Sequence, residues 1–205
     1  MYYSQCGEDS FLNKYFFKNK QNGIYIELGA LDGTLYSNTK FFEDTLNWKG
    51  ILIEPHPDKY KLLQINRPSN FLFNELVSCN TKPQNFRYFV DEYASISGVE
   101  NTIPKAHIDV WFDKLPYPQT SKLITPKTLT EIVKSTNITH IDFLSLDVEG
   151  HEYEVLQSWD FSVPIDLILI ENPSPVCRQL LMKNGYKFIQ KYEHNEICVI
   201  DRLLF

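Results

Sequence analysis

The sequence predicts an α/β fold built on a doubly wound, mostly parallel sheet that closes with an antiparallel hairpin. Three observations carry this expectation. Short apolar runs alternate with amphipathic stretches of helix length, the pattern of strands joined by crossover helices. No repeat or low-complexity tract interrupts the alternation. The last two strand-like runs, 187–192 and 196–201, are joined by a short polar turn, which makes a hairpin and sets the final strand antiparallel to its neighbour.

In chain order, residues 8–17 predict the first helix, with Phe11, Leu12, Tyr15 and Phe16 on one face. A strand at 23–28 runs into the glycine-rich turn Gly29-Ala30-Leu31-Asp32-Gly33, followed by a helix at 38–46. The apolar triplet Ile51-Leu52-Ile53 is the second strand, and Asp58 is the expected N-cap of a helix carrying Leu62, Leu63 and Ile65. Further strands are expected at 71–77 and 86–90. Periodicity then fades over 91–127, which holds four prolines together with Trp111, Phe112 and Tyr117. A long irregular stretch inside a compact domain is usually functional, and its aromatics favour an ordered lid or substrate loop. Regularity returns at the capping box Thr128-Leu129-Thr130-Glu131. A strand at 141–146, a helix at 152–156 and a strand at 167–170 follow. Ser174 and Pro175 open the last helix and Gly185 stops it. No composition break divides the chain, so 1–205 reads as a single domain with 91–127 as its substrate-binding insertion.

Composition excludes several function classes. With 205 residues, 43% apolar and 22% charged, the chain is an ordinary globular protein that needs neither disulfide nor metal to hold its core. A net charge of −6 argues against a nucleic-acid binder. No run approaches the roughly 20 apolar residues of a membrane span. Met1-Tyr2-Tyr3-Ser4-Gln5 lacks the basic and apolar regions of a secretory signal. Cys6, Cys79, Cys177 and Cys198 are scattered without metal-ligand spacing, which points to free thiols in a reducing compartment. The expected location is cytoplasmic.

In open α/β sheets, ligands bind beyond the C-terminal strand ends near the switch point. Those ends carry Glu27 with Gly29, Glu54, Ser78, Asp147 with Glu149, and Glu171 with Asn172. Gly29 and Gly33 allow a tight turn and close backbone approach, although the same pair also suits a plain strand-to-helix turn. The turn has one glycine fewer than a pyrophosphate fingerprint and adds two carboxylates. Acids there repel a pyrophosphate and suit a cation. Glu54, at the end of the second strand, stands where an acid accepts the ribose hydroxyls of a bound nucleoside. Together these features point to an adenosine-bearing, positively charged cofactor, S-adenosylmethionine, over NAD.

At 147–152 the sequence reads Asp-Val-Glu-Gly-His-Glu. A histidine among carboxylates suits a general base, so His151, assisted by Glu149 or Asp147, is the expected catalytic group. A helix-capping histidine is the plainer reading. Asp147, Glu171 and Asn172 also make an oxygen-rich set for a divalent cation such as Mg²⁺. Trp111 and Tyr117 are candidates to stack on a sugar ring, or else to form a small core under the loop.

These blocks resemble a known family. Tyr3-Ser4-Gln5-Cys6-Gly7-Glu8-Asp9, Glu27-Leu28-Gly29-Ala30-Leu31-Asp32-Gly33 with Ser37-Asn38-Thr39, Trp48 to Pro55, Ser97-Gly98 and Asp142 to Glu152 are similar, in order, to the motifs of the FkbM-type methyltransferases. The resemblance implies the seven-stranded class I methyltransferase fold and O-methylation of a sugar or glycan end. It implies that Gln5, Glu27, Gly29, Asp32, Gly33, Ser37, Asn38, Glu54, Pro55, Ser78 and Asp147 surround the cofactor, with Ser97 on the substrate loop. Glu27 departs from the aspartate of many members and keeps its charge. A non-sugar O-methyltransferase and a catalytically silent cofactor-binding module are the alternatives. Glycosyltransferases that deliver the acceptor, and a second copy of this chain, are the expected protein partners.

Overall fold

The computed structural model describes residues 1–90 and 93–201. In chain order the elements begin with α1 (Glu8–Leu12), which widens into a π-helical turn (Asn13–Phe17). Next come β1 (Ile24–Leu28), α2 (Lys40–Leu46), β2 (Lys49–Ile53), α3 (Pro57–Asn66), β3 (Phe71–Phe73) and β4 (Gln84–Phe89). The middle of the chain holds β5 (Gly98–Val99), α4 (Lys105–His107) with a second π-helical turn (Ile108–Phe112), and β6 (Gln119–Ile124). The last part comprises α5 (Leu129–Ser135), β7 (Ile141–Leu146), α6 (Glu152–Gln157), β8 (Ile165–Glu171), α7 (Pro175–Lys183), β9 (Tyr186–Tyr192) and β10 (Asn195–Ile200).

Seven strands form the main sheet in the order β3-β2-β1-β7-β8-β10-β9. The first five run parallel, and β10 pairs antiparallel with both β8 and β9. The chain winds outward from β1 to β3 and later from β7 to β8, so the switch point lies between β1 and β7. A crevice opens there beyond the carboxyl ends of the strands.

The sheet is buried on both faces, which is why its strands read as continuous apolar runs. Along β8, Ile165, Ile168 and Ile170 join one core with α5, α6 and α7 residues, while Leu167 and Leu169 join the other with Phe42, Trp48 and Leu63. A third, smaller core of Phe89, Ile103 and Phe112 lies in the stretch from β4 to the second π turn.

Four expectations change. The cap of α3 is His56, whose Nδ1 accepts from the Asp58 and Lys59 amides while its Nε2 donates to the Phe89 carbonyl. On that helix Leu63 is buried, but Leu62 and Ile65 are exposed. The third strand stops at Phe73. The stretch after 90, whose first two residues lie outside the described set, is ordered as expected but not irregular: β5 and β6 pair with β4 in a separate antiparallel sheet of order β5-β4-β6. The capping box at Thr128 and the 141–146 strand stand as expected.

Candidate active site

A cavity of about 460 Å³ opens at the switch point. Its floor is the carboxyl ends of β1, β2, β7 and β8, and residues 94–99, His107 and Trp111 cover one side. Gln5 and Cys6 reach it from the N-terminus, His194 from the β9–β10 turn and Asn195 from the start of β10.

The N-terminal block makes physical sense of its acids. Asp9 accepts from the Tyr3 amide at 2.7 Å and the Ser4 hydroxyl at 2.7 Å, while Glu8 accepts from the Cys6 amide at 2.9 Å. These bonds fold 3–6 into a loop that sets Gln5 on the cavity wall. Tyr192 donates to the Cys6 carbonyl at 3.0 Å and fastens the loop to the hairpin.

Glu27 is buried and accepts from the Ser37 hydroxyl, the Asn38 amide and the Thr39 hydroxyl, at 2.6 to 3.0 Å. Burial pushes its pKa up, against the pull of Arg67 3.8 Å away. Its role is therefore to shape the loop that carries Ser37 and Asn38 into the cavity. Gly29 has φ 79°, and a Cβ there would lie 2.0 Å from the Asp147 carbonyl oxygen, so β1 and β7 meet closely only because it is glycine. Glu54 accepts from the Leu31 and His56 amides at 2.8 and 2.7 Å. Burial pushes its pKa up to about 7.

Arg67, unmarked in the sequence, is fully buried beneath this loop. It donates to Gly33 O, Ser37 Oγ, Tyr25 Oη and Thr39 Oγ1 at 2.6 to 3.2 Å, and pairs with Glu43. A lone arginine just past the end of a helix carries no local signal of such a role.

At the other end, one carboxylate oxygen each from Asp147, Glu149 and Glu171 lies within 4.8 Å of the other two. Asp147 opens onto the cavity, yet the walls withdraw it from bulk water, and with Glu171 and Glu149 beside it its pKa is raised well above the carboxylate range. Glu149 rises to about 8 through burial and then through Glu171 and Glu152. Asn172 also lines the cavity.

His151 lines the cavity and is buried. Its partner is Thr102, at 2.9 Å from Nδ1, and neither Asp147 nor Glu149 orients it. The Thr102 hydroxyl donates onward to the Val99 carbonyl at 3.2 Å, which leaves Nδ1 as the donor and Nε2 with its lone pair free. Nε2 has no partner among the described residues. Burial lowers the His151 pKa to about 4, so the ring stays neutral. Glu149 faces His107, whose Nδ1 is 3.4 Å from Oε2. Ser97 Oγ is a second buried atom without a partner on the same wall.

Pro55 and Trp111 also line the cavity. Four expected residues do not. Asp32 accepts from the Thr34 and Leu35 amides at 2.8 Å and shapes the turn. Gly33, at φ 80°, has Leu63 and Arg67 against it. Ser78 is held by its backbone to the Lys127 carbonyl, and Glu75, Leu76 and Val77 line the cavity instead, because β3 ends early. Tyr117 packs on Tyr93, with ring centroids 4.6 Å apart.

The FkbM methyltransferase domain model matches residues 27–188. The chain belongs to the FkbM methyltransferase family. The family match covers every strand end described above, from Glu27 to Asn172. No curated protein matches the chain. Among solved structures, M. capricolum TrmK in complex with S-adenosylhomocysteine is similar over 93% of this chain and 65% of its own, with 11% identity and a TM-score of 0.47. The N-terminal domain of human METTL16 is similar over 95% and 67%, with 9% identity and a TM-score of 0.46. Precorrin-6y C5,15-methyltransferase from Geobacter metallireducens is similar over 93% and 86%, with 12% identity and a TM-score of 0.42. This FkbM chain thus spans about two thirds of the length of the first two.

Proposed function

We propose that this FkbM-family chain transfers a methyl group from S-adenosylmethionine to a hydroxyl of a sugar or glycan end. The observation that carries the reading is the division of one cavity into two chemistries. Glu54, Glu27 with its loop, and the glycine that admits Asp147 form one side of it at the ends of β1, β2 and β7. Beyond it, Ser97 Oγ and His151 Nε2 are buried without partners, a state that costs about 1–3 kcal/mol each until a ligand completes them. Hydroxyl groups donate and accept, and so complete both.

S-adenosylmethionine, when bound, supplies a methyl on a sulfonium that leaves as neutral S-adenosylhomocysteine. The donor set suits it: no Lys or Arg lines the cavity among the described residues, so nothing there neutralises a pyrophosphate. Glu54 holds the ribose, and Ser37, Asn38 and Gln5 surround the methionine part. His151 Nε2 accepts a hydrogen bond from the acceptor hydroxyl and orients it. Its low basicity makes it a poor final holder of the proton. As the O–CH₃ bond forms and the S–CH₃ bond breaks, the hydroxyl proton passes to the Asp147–Glu149 pair in its ionised state, which Glu149 reaches above about pH 8. Such assistance is typically worth about 10²- to 10⁴-fold. Trp111 stacks on the sugar, and glycosyltransferases supply the glycoside in the cytoplasm.

Label transfer from methyl-tritiated S-adenosylmethionine to a panel of methyl glycosides tests the reading. His151→Ala should lower turnover at least 100-fold while S-adenosylhomocysteine affinity stays unchanged. Normal turnover in that variant would remove His151 from the mechanism, and label on amines alone would replace O-methylation.

A further inference from the structure

We propose that His56 is a positioning residue whose ring ties the acceptor-side wall of the cavity to the strand end that carries Glu54. The inference rests on the reading that residues 94–99 and Trp111 face the acceptor, and it names the fastener that holds them in place. His56 is fully buried between Pro55 and Pro57. Its amide donates to Glu54 Oε1 at 2.7 Å, while the Leu31 amide donates to Oε2 at 2.8 Å. Its ring Nδ1 accepts from the Asp58 and Lys59 amides at 3.2 and 3.4 Å. That places the ring proton on Nε2, which donates to the Phe89 carbonyl at 2.8 Å. Burial lowers the pKa of the ring, so it stays neutral and keeps this tautomer.

Phe89 ends β4, and its side chain belongs to the small core under the wall. Phe112 stacks on it with centroids 4.9 Å apart, and Ile103 completes the cluster. Phe112 follows Trp111, and Ile103 follows Thr102, the partner of His151. A Cβ on Gly98 would lie 2.9 Å from Ile103 Cγ1, so Ser97 and Gly98 rest on the same core. On its far side the wall is held by Thr102 on His151 and by His107 facing Glu149. His56 holds the near side, at the end of β2. An N-cap alone needs only an acceptor, which Asn or Ser supplies well. The imidazole adds a donor on the opposite nitrogen, and that donor reaches the second sheet. A wall fastened at both edges keeps the distance between methyl donor and acceptor hydroxyl, and a misplacement of about 1 Å costs transfer about 100-fold.

The two ring nitrogens can be tested apart. His56→Asn keeps the cap acceptor and is too short to reach Phe89. His56→Gln carries an amide donor out to the position of Nε2 and gives up the cap. With S-adenosylhomocysteine bound, hydrogen exchange is followed at the Ile103 and Leu115 amides, which bond to the Val99 and Trp111 carbonyls. The acceptor KM is measured beside it. His56→Asn should speed exchange at both amides at least tenfold and raise the acceptor KM several-fold, with S-adenosylhomocysteine affinity unchanged. His56→Gln should keep both wild-type exchange and wild-type KM and lower only the thermal transition. Should His56→Asn not fold, His56→Ser takes its place as a shorter cap. Wild-type exchange in the Asn variant overturns the inference. So does an equal loss in the Asn and Gln variants, which would assign the effect to the packing of the ring on Tyr88, with centroids 4.5 Å apart. Transfer to no hydroxyl sinks the O-methylation reading alone, because the exchange rates still decide the tether.

Discussion

Glu54 is a carboxylate that burial keeps near neutrality, with a pKa of about 7. Ribose hydroxyls donate best to its ionised form, so cofactor binding releases a proton below that pH. The affinity for S-adenosylhomocysteine should therefore rise from pH 6 to 8 and then level. Glu54→Gln should weaken binding by about 10- to 100-fold, since hydrogen bonds to a charged group are worth about 1.5–3 kcal/mol, and should flatten the pH dependence. Calorimetry at three pH values checks both, and an unchanged affinity would remove Glu54 from the ribose. Gly29→Ala places a Cβ on the Asp147 carbonyl at a positive φ and should destabilise the fold by at least about 1–3 kcal/mol, read by urea unfolding. The strand-end acids were legible in the sequence because each directly follows an apolar run. Their partners were not. Thr102 meets His151, and His107 meets Glu149, only through tertiary folding, and no local pattern of residues encodes that.

The loop from 29 to 39 is held from below by Arg67 on the C-cap of α3. Arg67→Met leaves Glu27 buried beside no cation, and breaking a buried pair this way costs about 3–5 kcal/mol. It should also weaken cofactor binding. Arg67→Lys should restore little, because one ammonium cannot reach Gly33, Tyr25, Thr39 and Glu43 together. Urea unfolding beside calorimetry separates the two effects. Trp111 lines the cavity and is 37% exposed, outside the small core of Phe89, Ile103 and Phe112. Trp111→Ala should therefore raise the acceptor KM several-fold with kcat nearly unchanged, whereas lost stability at constant KM would make it a core residue. The parallel strands were readable because both faces are buried and their apolar runs are unbroken. The second sheet was not: β6 is exposed along most of its length, so it carries no alternation of apolar and polar residues.

Across the molecule, the acids of the cavity set the response to pH. Glu54 and Glu149 hold protons up to about 7 and about 8 in the folded chain, against an ordinary value of 4.5. Between those limits the folded chain binds more protons than the unfolded one, so stability falls as pH rises. The neutral buried His151, with its pKa lowered from 6.5 to about 4, acts in the opposite sense below pH 6.5. The ligand-free Tm should accordingly decline from pH 6.5 to 8, and a rise across that window would contradict the assignment. The overall architecture was legible from the alternation of elements and the terminal hairpin. The lining of one cavity by both chain ends was not, since Gln5 and Asn195 meet it only after the N-terminal loop packs on β9 and β10. No helix among the described residues is long and apolar enough to cross a membrane. Whether this cavity holds the methyl donor is decided by calorimetric titration with S-adenosylhomocysteine, beside NAD. One micromolar site for S-adenosylhomocysteine, weakened by Glu54→Gln, and none for NAD is the expected result. Binding of NAD instead, or of neither, would contradict it.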